Sequence, residues 1–336
     1  MNELLKSLRD RLPSLRRYSS VGAPAAESAN RPRRGITVGI VVIIVVMLFY
    51  YPVGMLLAHK INDDVTFAAP KELQLAKGSR AVALTVALIE RETEQTKWVA
   101  NKPFVFPSSM LDNMPNFQVG LMYALSRFAI EMTDVLGRTR GSSQVDEDLD
   151  KASGLLKYDG TIWHWEPSTS LWPTASAEKQ YTSARKALAR YNERLNDGSA
   201  VFDRRADNLI AFLDRVGSDL GSASAALDIQ AVSSNAGWFD TKADDIFYAT
   251  KGRLYGYYMV LRELEADLGS VIAEKNVENV WQQMMDSLRT AATMDPLIIS
   301  NGSNDGLFAP SHLAVQGFYL LRARTQLKEV TNILLK

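Results

Sequence analysis

The chain has 336 residues, of which 46% are hydrophobic and 23% charged, a composition that argues for a folded protein and against a disordered one. It contains no cysteine, which excludes disulfide bonds, thiolate metal sites and cysteine nucleophiles. The formal net charge is zero, but residues 1–34 hold eight basic and three acidic residues, which leaves 30 basic and 35 acidic residues in the remainder. An acidic body argues against nucleic-acid binding, whereas a basic head suits an anionic membrane surface.

The first segment, residues 1–17, has leucines at helical spacing and basic residues at most of the other positions. This pattern predicts a basic amphipathic segment that lies on the cytoplasmic face of a membrane. A disordered tail whose leucines align by chance is the alternative. Residues 18–34 are mostly small, polar or basic, which predicts a flexible basic linker.

The next segment, residues 35–58, is a predicted transmembrane helix. The run ITVGIVVIIVVMLFYYPVGMLLA, residues 36–58, contains 23 residues and no charge. As a helix it would be about 34 Å long, against a hydrocarbon core of about 30 Å. The unbroken β-branched run disfavours a buried core helix, and the long head and long apolar run disfavour a cleaved signal peptide. No second run of about 20 apolar residues occurs, which predicts a single-pass protein.

The charges beside this segment predict its orientation. Arg31, Arg33 and Arg34 precede it as membrane-interface residues, whereas the residues that follow it have no net positive excess. The positive-inside rule therefore predicts a cytoplasmic N-terminus, with residues 59–336 on the other side of the membrane.

Aromatic and helix-breaking residues mark the far end of the predicted span. Tyr50 and Tyr51 are predicted to lie at the membrane interface, where amphipathic rings are enriched. Pro52 and Gly54 predict a kink in the same turns.

Two glycines mark the near end of the span. Gly35 and Gly39 have the small-xxx-small spacing that allows transmembrane helices to approach closely. They are the predicted helix-packing residues in the membrane, and they leave a homo-oligomer possible.

Residues 59–336 are predicted to form an all-α domain. Apolar residues recur at steps of three and four, and the alternation typical of strands is scarce. Such seams are typical of long antiparallel helices in a bundle. Ser79 is the predicted N-cap of the first helix, Gly137 the stop of the second, and Gly256 a point of close helix contact. The predicted helices cover about residues 80–98, 117–135, 174–196, 209–227, 254–268, 276–292 and 320–334.

Two long loops interrupt this helical pattern, at residues 157–173 and 294–312. Loops of this length within a compact domain tend to be functional or disordered, and the apolar residues in both favour loops packed onto the bundle. Because buried aromatic side chains often anchor interfaces, we predict that the two loops bind a partner. The predicted partner-binding residues are Trp163, Trp165, Trp172, Leu307 and Phe308.

The chain offers few candidates for catalysis. His164 and Glu166, with His312 across space, could supply three zinc ligands, but ordinary loop residues are the simpler interpretation. Glu166 beside the tryptophans is the best single candidate for the acid of a glycan hydrolase. No nucleophile elbow, Walker loop or dinucleotide-binding glycine pattern occurs. We predict no catalytic residue, no metal and no cofactor.

Three stretches resemble a known family: the span ITVGIVVIIVVMLFYYPVG and the helices FDRRADNLIAFLDRVGSDLGS and FYATKGRLYGYYMVLRELE. Together with the basic head, they resemble an uncharacterised (domain-of-unknown-function) family of single-pass proteobacterial inner-membrane proteins. The resemblance covers nearly the whole chain and implies a proteobacterial source and a periplasmic body. It implies no active site, so no functional residue is carried over.

These features predict a non-enzymatic, membrane-anchored periplasmic scaffold, an accessory subunit of a larger envelope assembly. Its expected partners are the lipid bilayer and other membrane or envelope proteins, with no nucleic acid. A periplasmic sensor domain that binds glycans or small ligands is the alternative. A membrane-tethered glycan hydrolase is the second alternative.

Overall fold

The computed structural model describes residues 31–137, 145–165, 172–233, 240–302 and 311–336, with the backbone alone at residues 31–34 and 233. Over these residues the chain is all-α, with no strand. The described residues contain ten α-helices: α1 (Arg31–Ala58), α2 (Arg80–Glu90), α3 (Asn113–Glu131), α4 (Glu147–Leu156), α5 (Ala177–Asp197), α6 (Ala206–Ser233), α7 (Thr241–Asp267), α8 (Gly269–Glu274), α9 (Glu278–Ala292) and α10 (His312–Leu334).

Helix α1 is long and apolar enough to cross a membrane over Gly35–Ala58, and no other helix in the described part of the chain is. It begins at Arg31, so the last four residues of the predicted linker are helical. A Cβ atom added to Gly35 or Gly39 would have nothing within 4 Å, which leaves both positions open. The chain divides into two compact units, residues 1–49 and residues 50–336, and the second contains the bundle.

The helices of the bundle begin and end at the residues that their sequence favours. The Ser79 hydroxyl accepts a hydrogen bond from the N–H of Val82 and caps α2, as predicted. Ser176 caps α5 in the same way, and α5 ends at Gly198, whose φ of 78° favours glycine. The predicted helix at residues 80–98 ends early, because α2 passes into a π turn at Arg91–Gln95. A similar π turn follows α3 and ends at Gly137.

Helices α3 and α7 make the closest contact in the bundle. A Cβ at Gly120 or at Gly252 would lie 2.0 Å from a backbone carbonyl oxygen of the other helix. A Cβ at Gly256 would lie 2.6 Å from the methyl group of Ala124, which confirms the predicted close contact. Glycine at these positions allows the two backbones to touch.

The α3–α7 pair is parallel. Asn116 donates a hydrogen bond to Asp245 near the start of both helices, and Gly256 meets Ala124 further along both. The predicted antiparallel arrangement is found for α2 with α5, for which Ser79 meets Asn192 at one end. A parallel pair is possible because the long stretch between α3 and α7 returns the chain to the same end of the bundle.

The end of the bundle at which α1 arrives is here named the proximal end. Here the N–H of Lys60 lies 3.2 Å from the sulfur of Met114, in the first turn of α3. Helices α5, α7 and α10 begin at the same end, which also holds the predicted contact loops. The opposite, distal end holds the start of α2, where Ser79 donates to Asp267 at the end of α7 over 2.6 Å.

Candidate functional site

An uncharged loop, residues 103–111 (PFVFPSSML), lies against the last turns of α1 at the proximal end. The Tyr51 hydroxyl donates to the carbonyl oxygen of Phe104 over 2.6 Å, and the Tyr50 hydroxyl donates to that of Val105 over 3.1 Å. Both tyrosines are therefore engaged with this loop. Their predicted location at a membrane interface stays a prediction.

Gly54 also allows the uncharged loop to lie close to α1. A Cβ at Gly54 would lie 2.3 Å from the ring of Pro107, so a larger residue would push the loop away. Helix α1 continues through Pro52 to Ala58. The structural reason for glycine here is the close approach of the loop, a role that the predicted kink did not include.

The segment after α1, residues 59–68, is fixed to α7. Lys251 is only 1% exposed, and its Nζ lies 2.8 Å from a carboxylate oxygen of Asp63. The Tyr255 hydroxyl donates to the carbonyl oxygen of Asp64 over 2.9 Å. Arg262 donates to two further carbonyl oxygens of the segment, those of Val65 and Phe67. Successive turns of α7 thus hold the segment, and no flexible linker separates the end of α1 from the bundle.

The Trp-rich loop is closed at its neck. The N–H of Thr174 donates to the carbonyl oxygen of His164 over 2.7 Å, which joins the two arms of the loop. Below this neck, the indole N–H of buried Trp98 donates to the carbonyl oxygen of Gly160 over 2.8 Å. The neck is therefore packed onto the bundle, as predicted.

The three tryptophans of this loop differ in their exposure to solvent. Trp163 is half-buried and its ring centroid lies 3.8 Å from that of His164, whereas Trp165 and Trp172 are exposed. A cleft of about 610 Å³ opens between this loop and the start of the uncharged loop. Its lining residues are Ala100, Asn101, Lys102, Pro103, Phe104, Val105, Thr161, Trp163 and Trp165. We name it the aromatic cleft.

Most polar groups of the aromatic cleft are already paired, whereas the buried Oδ1 of Asn101 has no hydrogen-bond partner among the described residues. Asn101 donates to the carbonyl oxygen of Ile162 over 3.0 Å and to Glu178 over 2.8 Å. The Nζ of Lys102 lies 2.6 Å from the other carboxylate oxygen of Glu178. Burial raises the pKa of Glu178, but the hydrogen bonds from Lys102 and Asn101 outweigh burial, and the pKa lies below its ordinary value. Glu178 is therefore ionised near neutral pH and unsuited to act as a general acid.

The second predicted contact loop is fixed at both ends. Asn301 donates to Asp240 over 3.0 Å and pairs with Ser311 in an isolated β-bridge. The N–H of Ser300 donates to Nδ1 of His312 over 3.0 Å, and the N–H of His312 donates to the carbonyl oxygen of Ser300 over 3.0 Å. Nδ1 accepts a hydrogen bond here, so the imidazole of His312 is neutral in this arrangement.

Apolar residues of this loop divide between the core and the surface. Ile299 is buried, whereas Leu297 and Ile298 are exposed beside a cavity of about 270 Å³ that Asn113 and Asp244 also line. Leu307 and Phe308 lie outside the described residues, so their predicted contact role stays a prediction.

Other predicted site residues are placed as follows. The side chains of Arg31, Arg33 and Arg34, and the whole of Glu166, lie outside the part that the structure describes. Among the described residues, no group of three or more His, Asp or Glu side chains could hold a metal ion.

Sequence reasoning missed the uncharged loop. Its nine residues are too short for a span and carry no helical period. The available signal was the absence of charge combined with two phenylalanines and two prolines. The contact with Tyr50 and Tyr51 gives this loop its importance, and a contact across more than 50 residues has no local signature.

The fold and site define a class of protein: an α-helical bundle joined directly to one long apolar helix, with an aromatic cleft beside the junction. The chain belongs to a bacterial family described as "Uncharacterized protein conserved in bacteria (DUF2333)", whose model matches residues 30–242 and 228–336. This match confirms the resemblance to an uncharacterised bacterial family. No curated protein and no solved structure matches the chain.

Proposed function

We propose that this protein is a non-enzymatic, membrane-anchored interaction protein of the bacterial envelope, an accessory subunit of a larger membrane assembly. In this proposal α1 crosses the inner membrane once, with its N-terminal arginines in the cytoplasm and the bundle in the periplasm. The observation that carries the proposal is the aromatic cleft, whose walls expose Trp165 and Phe104 beside the end of α1. A partner in this cleft is close to the membrane surface, so we expect a membrane-associated protein.

The construction of the cleft supports binding of a partner. Trp163 and Trp165 offer large, rigid apolar surfaces of the kind that anchor interfaces. The arm that carries them is held by the hydrogen bond between Thr174 and His164, and side chains on a fixed arm lose less entropy on binding. Anchoring in the membrane raises the effective concentration of partners in the same bilayer.

Site-specific photo-cross-linking in native membranes tests this proposal. A photoreactive phenylalanine analogue at Trp165 is expected to give a discrete adduct with one or a few proteins. Leu335, which is exposed at the distal end, is the control position. A W163A variant that carries the same probe should lose the adduct while remaining folded. Equal adducts from positions 165 and 335, or none at 165, would refute a partner site in the cleft.

A binding site for glycans or small ligands in the same cleft is the second candidate. Its volume of about 610 Å³ suits a ligand, since ligand pockets measure about 300–1,000 Å³. Against this candidate, Nδ2 of Asn101 and Nζ of Lys102 are paired with Glu178, which leaves Oδ1 of Asn101 and few other polar groups to orient a sugar. Titration with peptidoglycan fragments, followed by tryptophan fluorescence, distinguishes the two: a saturable change supports a ligand site, and no change supports a protein partner.

Glycan hydrolysis through Glu166 is the third candidate, and it is tested separately. An E166Q variant with the same activity on glycan strands as the unchanged protein would exclude this residue as the acid. No activity in either protein would remove the hydrolase from consideration.

A further inference from the structure

Exposed large apolar side chains gather in two loops at the proximal end. In the uncharged loop Met110 is 59% exposed and Phe106 is 42% exposed, and neither lines the aromatic cleft. In residues 296–302, Leu297 is fully exposed and Ile298 is 55% exposed. Soluble surfaces rarely expose apolar groups in such a concentration unless something covers them.

Both loops lack charge. Residues 103–111 read PFVFPSSML and residues 296–302 read PLIISNG. Along the chain, Lys102, Asp112 and Asp295 stand at their borders, and Asp244 lines the cavity beside Leu297 and Ile298. A surface that enters lipid needs this distribution, because a charged side chain in hydrocarbon costs several kcal/mol.

Several backbone polar groups of the uncharged loop are paired within the protein. Tyr51 and Tyr50 donate to the carbonyl oxygens of Phe104 and Val105. The carbonyl oxygen of Phe106 accepts from both the N–H and the hydroxyl of Ser109, over 3.0 and 2.7 Å. Carbonyl oxygens facing water need no such partners, whereas unpaired groups in hydrocarbon cost several kcal/mol each.

The length of α1 indicates how deep in the membrane the uncharged loop would lie. At 1.5 Å per residue, a hydrocarbon core of about 30 Å takes about 20 residues. Counted from Gly35, which follows the last arginine, the core ends at about Gly54, the residue against Pro107.

We propose that the loops at residues 103–111 and 296–302 insert into the lipid at the boundary between headgroups and hydrocarbon, in the leaflet in which α1 ends. This inference rests on the membrane anchoring in the proposed function. It adds a second and a third lipid contact to α1, and three contacts fix the orientation of the bundle on the bilayer. The aromatic cleft then opens at the level of the headgroups.

Single-cysteine labelling tests this insertion, because the cysteine-free chain needs no prior substitution. The full-length protein is placed in phosphatidylcholine nanodiscs, with an environment-sensitive fluorophore at F106C, M110C or I298C. L335C is the matched apolar control at the distal end, and V41C, within α1, reports on the span. At positions 106, 110 and 298 we expect blue-shifted emission, quenching by nitroxide lipids and protection from iodide, with the opposite at position 335.

The outcomes separate this inference from the anchoring itself. Labels at positions 106, 110 and 298 that are as accessible to iodide as the label at 335, beside a lipid-embedded label at 41, would overturn loop insertion and leave the anchor intact. An accessible label at position 41 would overturn both. Since the nanodiscs contain only lipid, a surface normally covered by a protein partner would also appear accessible and count against insertion.

Discussion

The hydroxyl of Tyr51, near the end of α1, donates a hydrogen bond of 2.6 Å to the carbonyl oxygen of Phe104, 53 residues further along the chain. Tyr50 makes the neighbouring bond to Val105 over 3.1 Å. Successive residues of one helix thus hold successive carbonyl groups of one loop. The loop is therefore a fixed part of the end of α1.

Removing both hydroxyl groups should loosen this loop and spare the bundle. In a Y50F/Y51F variant we expect faster amide exchange over residues 104–110, measured by mass spectrometry in nanodiscs. The unfolding transition of the bundle should change little, since one such bond contributes about 0.5–1.5 kcal/mol. Y319F, in α10, removes a tyrosine hydroxyl away from this contact and is the control. Unchanged exchange at the loop would show that the tyrosines do not hold it.

Two glycine-to-alanine substitutions should have opposite effects on stability. The methyl group in G252A would lie 2.0 Å from the Phe117 carbonyl oxygen, so α3 and α7 must separate. We expect a loss of about 3 kcal/mol in the free energy of unfolding. A methyl group at Gly154, in α4, would have nothing within 4 Å, and G154A should gain about 0.5–1 kcal/mol from helix propensity. Urea denaturation in detergent measures both, and a similar loss in both variants would contradict the close helix contact.

A K251M variant should release the segment after α1. Methionine fills much of the space of the lysine stem but leaves Asp63 and Asp295 without their cation. Both acids retain solvent contact, so we expect a loss of about 1–2 kcal/mol, less than the roughly 3–5 kcal/mol for a charge left fully buried. Amide exchange over residues 60–66 should accelerate. K186M, at an exposed position of α5, should change neither quantity.

His312 should make the bundle less stable in acid. Burial lowers the pKa of His312 in the folded chain below its ordinary value of 6.5. The unfolded chain therefore takes up a proton first, and stability is present above pH 6.5 and is lost as the pH falls toward the folded-state pKa. Asparagine can offer an oxygen near the position of Nδ1, so H312N should remain folded at about pH 7.5 and lose less stability than the unchanged protein at about pH 5.

The titration of Asp244 should change the stability of the folded state in the opposite direction. Burial, together with Asp112 and Asp245, raises the pKa of Asp244 to about 6, which favours the folded state as the pH falls through 6. Melting temperatures of H312N and the unchanged protein should therefore be compared at each pH, so that the contribution of Asp244 cancels. An identical pH dependence in both proteins would assign the acid sensitivity to other groups.

The proposed orientation predicts which side of the membrane each end occupies. A membrane-impermeant thiol reagent, added to cells with a permeable outer membrane, should label S222C on the exposed surface of α6. It should label S20C only after the inner membrane is lysed. Labelling of S20C in intact cells, with S222C protected, would reverse the orientation.

Local patterns predicted much of the fold. The steps of three and four between apolar residues predicted the long helices, and the side chain of Ser79 predicted the start of α2, because a helix boundary is a local event. Glycine is unfavourable within a helix, so Gly256 also indicated a close contact between helices. The direction of α3 relative to α7 was not predictable in this way, because the connection between them contains three other helices.

The site was predicted less completely. The tryptophan cluster indicated one wall of the aromatic cleft, whereas the other wall, at Phe104 and Val105, had no local signal. The contacts by which α7 holds residues 59–68 were also not predicted. Lys251 and Arg262 are ordinary residues of a helical sequence, and their importance comes from the distant carbonyl and carboxylate groups that they contact.

Contacts with Lys251, Tyr255 and Arg262 also make residues 59–68 part of the bundle. Helix α7 has 27 residues and is about 40 Å long, and the chain leaves α1 already fastened along it. Residues 59–68 and both ends of the bundle therefore keep fixed distances from one another.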